Sequence, residues 1–221
     1  MNTFLAIIRR DLTLSLRQGG GLAPALGFML AVIILVPVSI GPDLQTLQRL
    51  APGMMWLTLF LAILLTADRI YTQDLEDGSL ELFTMAATPL EMVALAKSLA
   101  HWLGTSLPLA IITPFLALML NMDTAILPLL WAAMIPGSLA LSMLAGIGGA
   151  VAAGLKRGGL LIALLVLPLN IPVMVFGISA TSSAMSPAGA APAILILLAL
   201  TLLASVISPW ASAAALRTYL R

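Results

Sequence analysis

A run of acidic side chains between two apolar segments is the part of this chain best equipped for chemistry. Residues 73–81 read QDLEDGSLE, and six of the nine acids lie between Asp68 and Lys97. Charges of this density cannot lie in hydrocarbon, so we predict a water-facing loop over 68–97, in which Gly78 allows a turn between short helical pieces. If this loop lies on the cytoplasmic side, a soluble partner could bind the membrane protein through it. The candidate contacts are Asp74, Glu76, Asp77, Gly78, Ser79 and Glu81.

The sequence carries no phosphate cradle of its own. No G-x-x-x-x-G-K-[ST] motif occurs, and the glycines at 146, 148 and 149 lie in an apolar run rather than between a strand and a helix. If ATP drives this protein, another chain must bind it. The acids fall in loops or at membrane edges, which disfavours ion-driven transport and intramembrane catalysis by paired carboxylates. The absence of cysteine excludes thiolate chemistry and cysteine-ligated metals.

His101 is the one histidine and could suggest a metal or haem ligand. Lys97 lies one helical turn before it and Trp102 directly follows it, which predicts a position at the cytoplasmic membrane boundary. We interpret His101, Lys97 and Trp102 as interfacial, with His101 as a hydrogen-bonding residue. The twelve methionines lie mostly singly in apolar runs, where flexible core filling is their usual role.

Asn170 is an amide deep in an apolar segment, flanked by Pro168 and Pro172. One interpretation is that it bonds carbonyls released by the prolines. The other is that this interrupted helix lines a path or acts as a hinge. The residues themselves leave both open.

Small residues recur every four positions in another apolar segment, at Ser142, Gly146, Ala150 and Gly154. Such a strip lets a second helix approach closely. Packing within the chain and homodimerisation explain the strip equally well.

The composition is that of an integral membrane protein. Of its 221 residues 61% are hydrophobic and 9% charged, with a mean hydropathy of +1.12, whereas soluble domains carry about 25% charged residues. The net charge of +1 gives no long-range attraction to nucleic acid. We therefore predict an all-α integral membrane protein with one transmembrane domain over residues 1–221.

Six segments approach the roughly 20 apolar residues that a membrane-spanning helix needs. They lie at about 22–41, 51–67, 99–120, 125–153, 158–179 and 190–214. The fourth and sixth contain Pro136 and Pro209, which predict a tilt, a kink or a break. The connections predicted on the outer side are short, at 41–50, 121–124 and 180–189.

Basic residues set the predicted orientation, because cytoplasmic loops collect Lys and Arg. With both termini inside, nine of the ten basic residues are cytoplasmic and only Arg49 is outside. The acidic segment is then cytoplasmic, and so is a second loop that carries Lys156 and Arg157.

Residues 1–18 are predicted to form an amphipathic interfacial helix. Phe4, Ile8, Leu12 and Leu16 recur on one face, and Arg9, Arg10 and Arg17 lie on the other. We expect this helix to lie in the inner interface with its arginines toward lipid phosphates.

Blocks along the whole chain resemble the haem exporter protein B (CcmB) family of bacterial cytochrome c maturation. They follow the family's order, which makes the resemblance more specific than hydropathy alone. The matching blocks are 36–42 (VPVSIGP), 51–53 (APG), 74–81, 95–97 (LAK) with His101 and Trp102, 154–159, 165–168, 208–209 and 213–217.

The resemblance implies a non-catalytic permease subunit of an ABC-2-like exporter in the bacterial inner membrane. Two copies would meet two copies of an ATPase subunit that binds ATP, together with a haem-handling membrane subunit and a small single-span subunit. The complex would supply haem to a periplasmic haem chaperone. Haem is then a ligand that the complex handles, and the resemblance assigns no cofactor to this chain.

The path of haem stays open at this point. The predicted spans carry no Lys or Arg at mid-depth to accompany haem propionates. Haem could pass at an interface with a partner, or the ATP cycle could release loaded chaperone without moving haem through this chain. Two other functions remain: a permease that exports a lipid or drug, and a structural assembly subunit.

Overall fold

A computed structural model describes residues 3–17, 21–85, 88–153, 158–183 and 189–219. These residues form helices joined by short turns, with no β-strand among them. The α-helices are α1 (Thr3–Arg17), α2 (Leu22–Ile40), α3 (Leu44–Leu64), α4 (Arg69–Glu76), α5 (Ser79–Met85), α6 (Leu90–His101), α7 (Leu107–Ala117), α8 (Leu127–Ala152), α9 (Gly158–Ser182) and α10 (Ala191–Tyr219).

Six helical stretches in the described part of the chain are long and apolar enough to cross a membrane. They are Leu22–Ile40, Leu44–Glu76, Leu90–Leu120, Thr124–Ala152, Leu164–Ser182 and Ala191–Thr218. The all-α fold with six spans predicted from the sequence is confirmed. Helices α8 and α10 run without a break through Pro136 and Pro209.

The predicted connection over residues 41–50 is wrong in its length. Helix α3 already begins at Leu44, so residues 41–43 make the turn. Asp43 caps the helix, because its side chain accepts hydrogen bonds from the Gln45 and Thr46 amides at 3.2 and 3.1 Å. The Thr46 hydroxyl bonds the same carboxylate and holds the pKa of Asp43 below its usual value.

The third span also begins earlier than predicted, at Leu90 rather than near residue 99. Its first part, α6, is followed by a π-helical turn over Trp102–Ser106 before α7 continues. A π-helical turn inserts an extra residue into the helix and often occurs at functional sites. The third span therefore has an irregular turn directly after His101.

The core lies where α3, α8 and α9 meet around Trp56. Its ring is fully buried and its Nε1 donates to the Thr181 hydroxyl at 3.2 Å. Gly137 on α8 and Gly177 on α9 leave space for the ring, because a Cβ at either position would overlap it. Helix–helix contact through small residues is the usual way to pack spans.

Helix α1 packs against α6 rather than lying on lipid alone. Ile7 is 4% exposed and contacts Val93 and Ala96 of α6, with Phe4 and Ile8 partly buried beside them. The amphipathic pattern thus predicted the apolar face, and the structure shows that part of this face covers protein.

Candidate functional site

The predicted loop over 68–97 is a helical hairpin, made of α4 and α5, that leads into α6. The turn is tight because Gly78 has φ of +74°, which residues with a Cβ adopt only with strain. Asp77 accepts a hydrogen bond from the Ser79 amide at 2.8 Å. The hydrogen bonds from Ser79 lower the pKa of Asp77, so this carboxylate is ionised at neutral pH.

One face of the hairpin is exposed and carries charge. Glu76, Asp77 and Glu81 are exposed, and beside them Leu82 is 66% exposed. An exposed apolar side chain on a charged hairpin can serve a partner as an anchor, with polar groups at the border of the contact. We call Glu76, Asp77, Glu81 and Leu82 the hairpin tip.

The opposite face is seated on α8 and α10. Tyr71 and Leu80 are fully buried and form an apolar cluster with Ile70, Ala150 and Leu216. This contact fixes where the hairpin lies on the bundle. It also separates a seated face from the exposed hairpin tip.

Asp74 belongs to the seated face and not to the water-facing surface predicted for it. Its side chain is 2% exposed and forms ion pairs with Arg10 and Lys97. Lys97 is 4% exposed and also contacts Asp11, with Nζ 2.8 Å from Oδ2. Asp11 lies 3.3 Å from Arg10 Nε. We call Arg10, Asp11, Asp74 and Lys97 the ion cluster.

The ion cluster corrects one further expectation. Arg10 extends toward Asp74 rather than toward lipid phosphates. Lys97 is buried in the protein, 5.9 Å above the ring of Tyr71, and its position at the membrane interface stays a prediction. Charges with low exposure are stable only when paired in this way, so the pairing explains how α1, α4 and α6 meet.

A cavity of about 390 Å³ lies beside the ion cluster. Its walls come from α1, the hairpin and α6, and they carry both acidic and basic side chains. Thr66, His101 and Thr105 also line it. The cavity therefore connects the charged end of the bundle with the region of the histidine.

His101 joins α6 to α8 and to the turn after α3 through hydroxyl groups. The Thr66 hydroxyl donates to the Ile63 carbonyl at 3.0 Å and so accepts from His101 Nε2 at 2.9 Å. Nδ1 then accepts from the Ser142 hydroxyl at 2.6 Å, and Ser106 donates to Ser142 at 3.3 Å. This directed chain uses both ring nitrogens of a neutral imidazole.

Trp102 points into the bundle as well. Its Nε1 donates to the Ser138 hydroxyl of α8 at 3.0 Å, and the side chain is partly buried. The hydrogen-bonding roles of His101 and Trp102 are thus directed at α8. Whether either contributes to a haem site stays a prediction.

Asn170 is fully buried, with Pro168 and Pro172 exposed on the same helix. Its Nδ2 donates to the Val166 carbonyl at 2.9 Å. In a regular helix that carbonyl pairs with the Asn170 amide, so it is not one that either proline releases. The hinge or path role of these three residues stays a prediction.

The strip of small residues on α8 packs within the chain. Ser142 bonds His101, and Gly146 leaves space for the Ser98 hydroxyl of α6. Ala150 contacts the hairpin cluster. Intramolecular packing accounts for these three positions, while Gly154, Lys156 and Arg157 lie outside the described residues.

Sequence patterns missed two parts of this site. Asp11 and Arg10 lie more than 60 residues from Asp74 and nothing local links them; an acid on the basic face of α1 was the one signal. Leu82 was missed because an apolar residue in an amphipathic helix is ordinarily assigned to the buried face. Across the described residues, no group of three His, Asp or Glu could hold a metal.

Comparison with known proteins gives consistent matches over the whole length. The model of the family described as CcmB protein matches residues 2–219. Heme exporter protein B of Bradyrhizobium diazoefficiens is 47% identical over 218 residues, covering 98% of each chain. That of Paracoccus denitrificans is 47% identical over 216 residues, covering 98% of this chain and 99% of the relative. That of Escherichia coli K12 is 41% identical over 214 residues, covering 97% of both.

Proposed function

The chain belongs to the CcmB protein family, and from this premise we propose that it is the membrane-spanning subunit of an ABC transporter that exports haem. A separate subunit would bind and hydrolyse ATP, since this sequence has no phosphate-binding motif. The similarity to heme exporter protein B over nearly all of the chain supports haem as the substrate.

The hairpin tip is the observation that carries this proposal. It presents the exposed side chains of Glu76, Asp77, Glu81 and Leu82, whereas the other face of the hairpin is fixed to α8 and α10. A partner with an apolar groove bordered by basic residues would fit this surface. We propose that the ATPase subunit is this partner and that Gly78 and Ser79 shape the turn presented to it.

The finer role is supply of haem to a periplasmic haem chaperone during c-type cytochrome biogenesis. We propose a bacterial inner membrane location, a homodimer within the complex, and contacts with a haem-handling membrane subunit and a small single-span subunit. The described spans place Lys97 in the ion cluster, paired with acids. This pairing supports a haem route at a subunit interface, or ATP-driven release of loaded chaperone, over a route through the bundle.

Charge reversal at the hairpin tip tests the ATPase contact. We expect Glu76→Lys combined with Asp77→Lys to lower co-purification of the ATPase subunit about tenfold, as loss of a complementary charged contact does. Arg49→Glu is the matched control, because it also reverses a charge but lies near the start of α3, whereas the hairpin follows the end of α3. Unchanged ATPase binding and unchanged cytochrome c maturation in the double variant would contradict the proposal.

Cysteine labelling tests the proposed orientation. The chain has no cysteine, so single cysteines report without background. With both termini cytoplasmic, a membrane-impermeant reagent added to spheroplasts should label cysteines at Gln45 and Ser183 and spare those at Ser79 and Gly158. The opposite labelling pattern would place the hairpin outside and remove it as an ATPase contact.

A further inference from the structure

Among the described residues, two sets of ion pairs connect α6 to other helices, and they differ in burial. Arg217 of α10 contacts Glu91 of α6 at 2.5 Å, but the Arg217 side chain is 53% exposed. The ion cluster instead contains side chains that are 2% and 4% exposed, those of Asp74 and Lys97. Exposed pairs contribute little to stability, whereas buried pairs are costly to break.

The ion cluster joins three separate segments through alternating charges. Lys97 of α6 contacts Asp11 of α1 and Asp74 of α4, and Arg10 of α1 contacts the same two acids. Two acids and two bases make the cluster neutral. An apolar contact tolerates sliding, whereas separating these buried charges from their partners is costly. The cluster therefore defines one arrangement of α1, the hairpin and α6.

The segments that the cluster joins lead directly to the irregular turn of the third span. His101 lies one helical turn after Lys97, and the π-helical turn Trp102–Ser106 follows it. Helix α1 also reaches this turn, because a Cβ at Gly104 would lie 3.3 Å from Leu12 and 3.5 Å from Ser15. A displacement of the hairpin would thus reach the third span both through Lys97 and through α1.

We propose that Lys97 is a positioning residue that, through the ion cluster, holds the hairpin in register with the third span. This inference rests on the proposed function only in assigning the hairpin tip to the ATPase subunit. Lys97 does not contact the partner, because it is buried beneath the hairpin. It acts through Asp74, which lies two residues before the tip residue Glu76.

A role limited to stability would predict a different result. The apolar cluster of Tyr71, Leu80 and Leu216 would still seat the hairpin without the ion pairs. If the ion cluster only stabilised the fold, a variant that folds would keep the native hairpin position. If the cluster positions the hairpin, a folded variant without the charges should let the hairpin move.

The test combines Asp74→Asn with Lys97→Met. This double variant removes the link between the hairpin and α6 and leaves Arg10 paired with Asp11, so no buried charge loses its only partner. Lys97→Arg retains the charge and serves as the conservative variant. Arg217→Ala removes the exposed pair and is the matched control.

Spin labels on the full-length protein measure the hairpin position. Cysteines at Thr13 and Thr72 place one label on α1 and one on α4, at exposed positions whose hydroxyls bond only local carbonyls. We expect one narrow distance distribution in the unchanged protein, in Lys97→Arg and in Arg217→Ala. The Asn–Met double variant should give a broad or shifted distribution. A native distribution in that variant, or equal broadening in Arg217→Ala, would overturn the proposal.

Partner function supplies the second measurement. In the assembled complex, the double variant should still bind the ATPase subunit but stimulate its hydrolysis about fivefold less, at the lower end of typical coupling between sites. Full stimulation together with the native distance distribution would reject a positioning role for Lys97. Failure of the proposed function is separate, since it appears as unchanged ATPase binding in the Glu76→Lys, Asp77→Lys variant.

Discussion

Asp74 and Asp77 are three residues apart in the hairpin, yet they lie in opposite environments. Asp74 is 2% exposed and pairs with Arg10 and Lys97. Asp77 is exposed at the turn and is held by hydrogen bonds from Ser79. The buried carboxylate holds segments of the chain together, and the exposed one is available to a partner. A single acidic run therefore contains a structural part and a proposed binding part.

The difference follows from helix geometry and from the partners that each face meets. Residues three or four apart share a helix face, so Tyr71 and Asp74 both turn toward the bundle. Helix α4 ends at Glu76, and Gly78 reverses the chain. Asp77 thus lies beyond the buried face. Basic groups from α1 and α6 are what make burial of Asp74 possible.

The largest predicted effect is a loss of stability when the buried carboxylate, Asp74, is removed. Asp74→Ala removes a partner shared by Arg10 and Lys97, and we expect a loss of about 3 kcal/mol in the free energy of unfolding. Asp77→Ala removes an exposed carboxylate together with its hydrogen bonds from Ser79, and we expect a loss of about 1 kcal/mol. Thermal melting in detergent measures both. Equal melting temperatures in the two variants would remove the distinction between the two carboxylates.

A second effect is expected at His101, which lies inward of the ion cluster. His101→Ala leaves the Ser142 hydroxyl without its acceptor and Thr66 without its donor, and it should cost about 2 kcal/mol in stability. Because hydroxyl groups occupy both ring nitrogens, we predict that any haem that co-purifies with the complex keeps its absorption spectrum. Normal assembly with lost or shifted haem bands would show that His101 contributes to the haem site.

At the exposed hairpin tip, the predicted effect is on binding of the ATPase subunit. Leu82→Ala removes a side chain that is 66% exposed, so the melting temperature should not fall. Affinity for the ATPase subunit should fall about tenfold, the usual scale for an interface anchor. Binding of the purified subunit to the complex in nanodiscs measures this. A lower melting temperature with unchanged affinity would mean that Leu82 belongs to the fold.

The smallest effect is predicted for the exposed pair between α6 and α10. Arg217→Ala breaks the contact with Glu91, but we expect a change below about 1 kcal/mol because solvent screens a half-exposed pair. The same melting assay applies. A loss as large as that of Asp74→Ala would show that burial does not separate the two sets of ion pairs.

Local sequence patterns predicted much of the fold, and the errors of that prediction also have local causes. Long apolar segments predicted six spans, because bilayer thickness sets the length of such a helix. The start of α3 was placed seven residues late, since Gln45, Gln48 and Arg49 lower the hydropathy of helical residues. The segment after Asp68 was predicted to face water, with Gly78 as a turn between short helical pieces, and α4 and α5 are those pieces.

The sequence by itself determined that this is a membrane protein with six apolar helices and a charged segment between the second and third. These properties depend on the composition of each segment and on the spacing of its apolar residues, and both can be read from neighbouring residues. Only the tertiary structure decided that Lys97 meets both Asp11 and Asp74, and that Leu82 is exposed while Leu80 is buried. The reason is physical: pairing and burial depend on which distant segments meet, and no local pattern encodes that meeting.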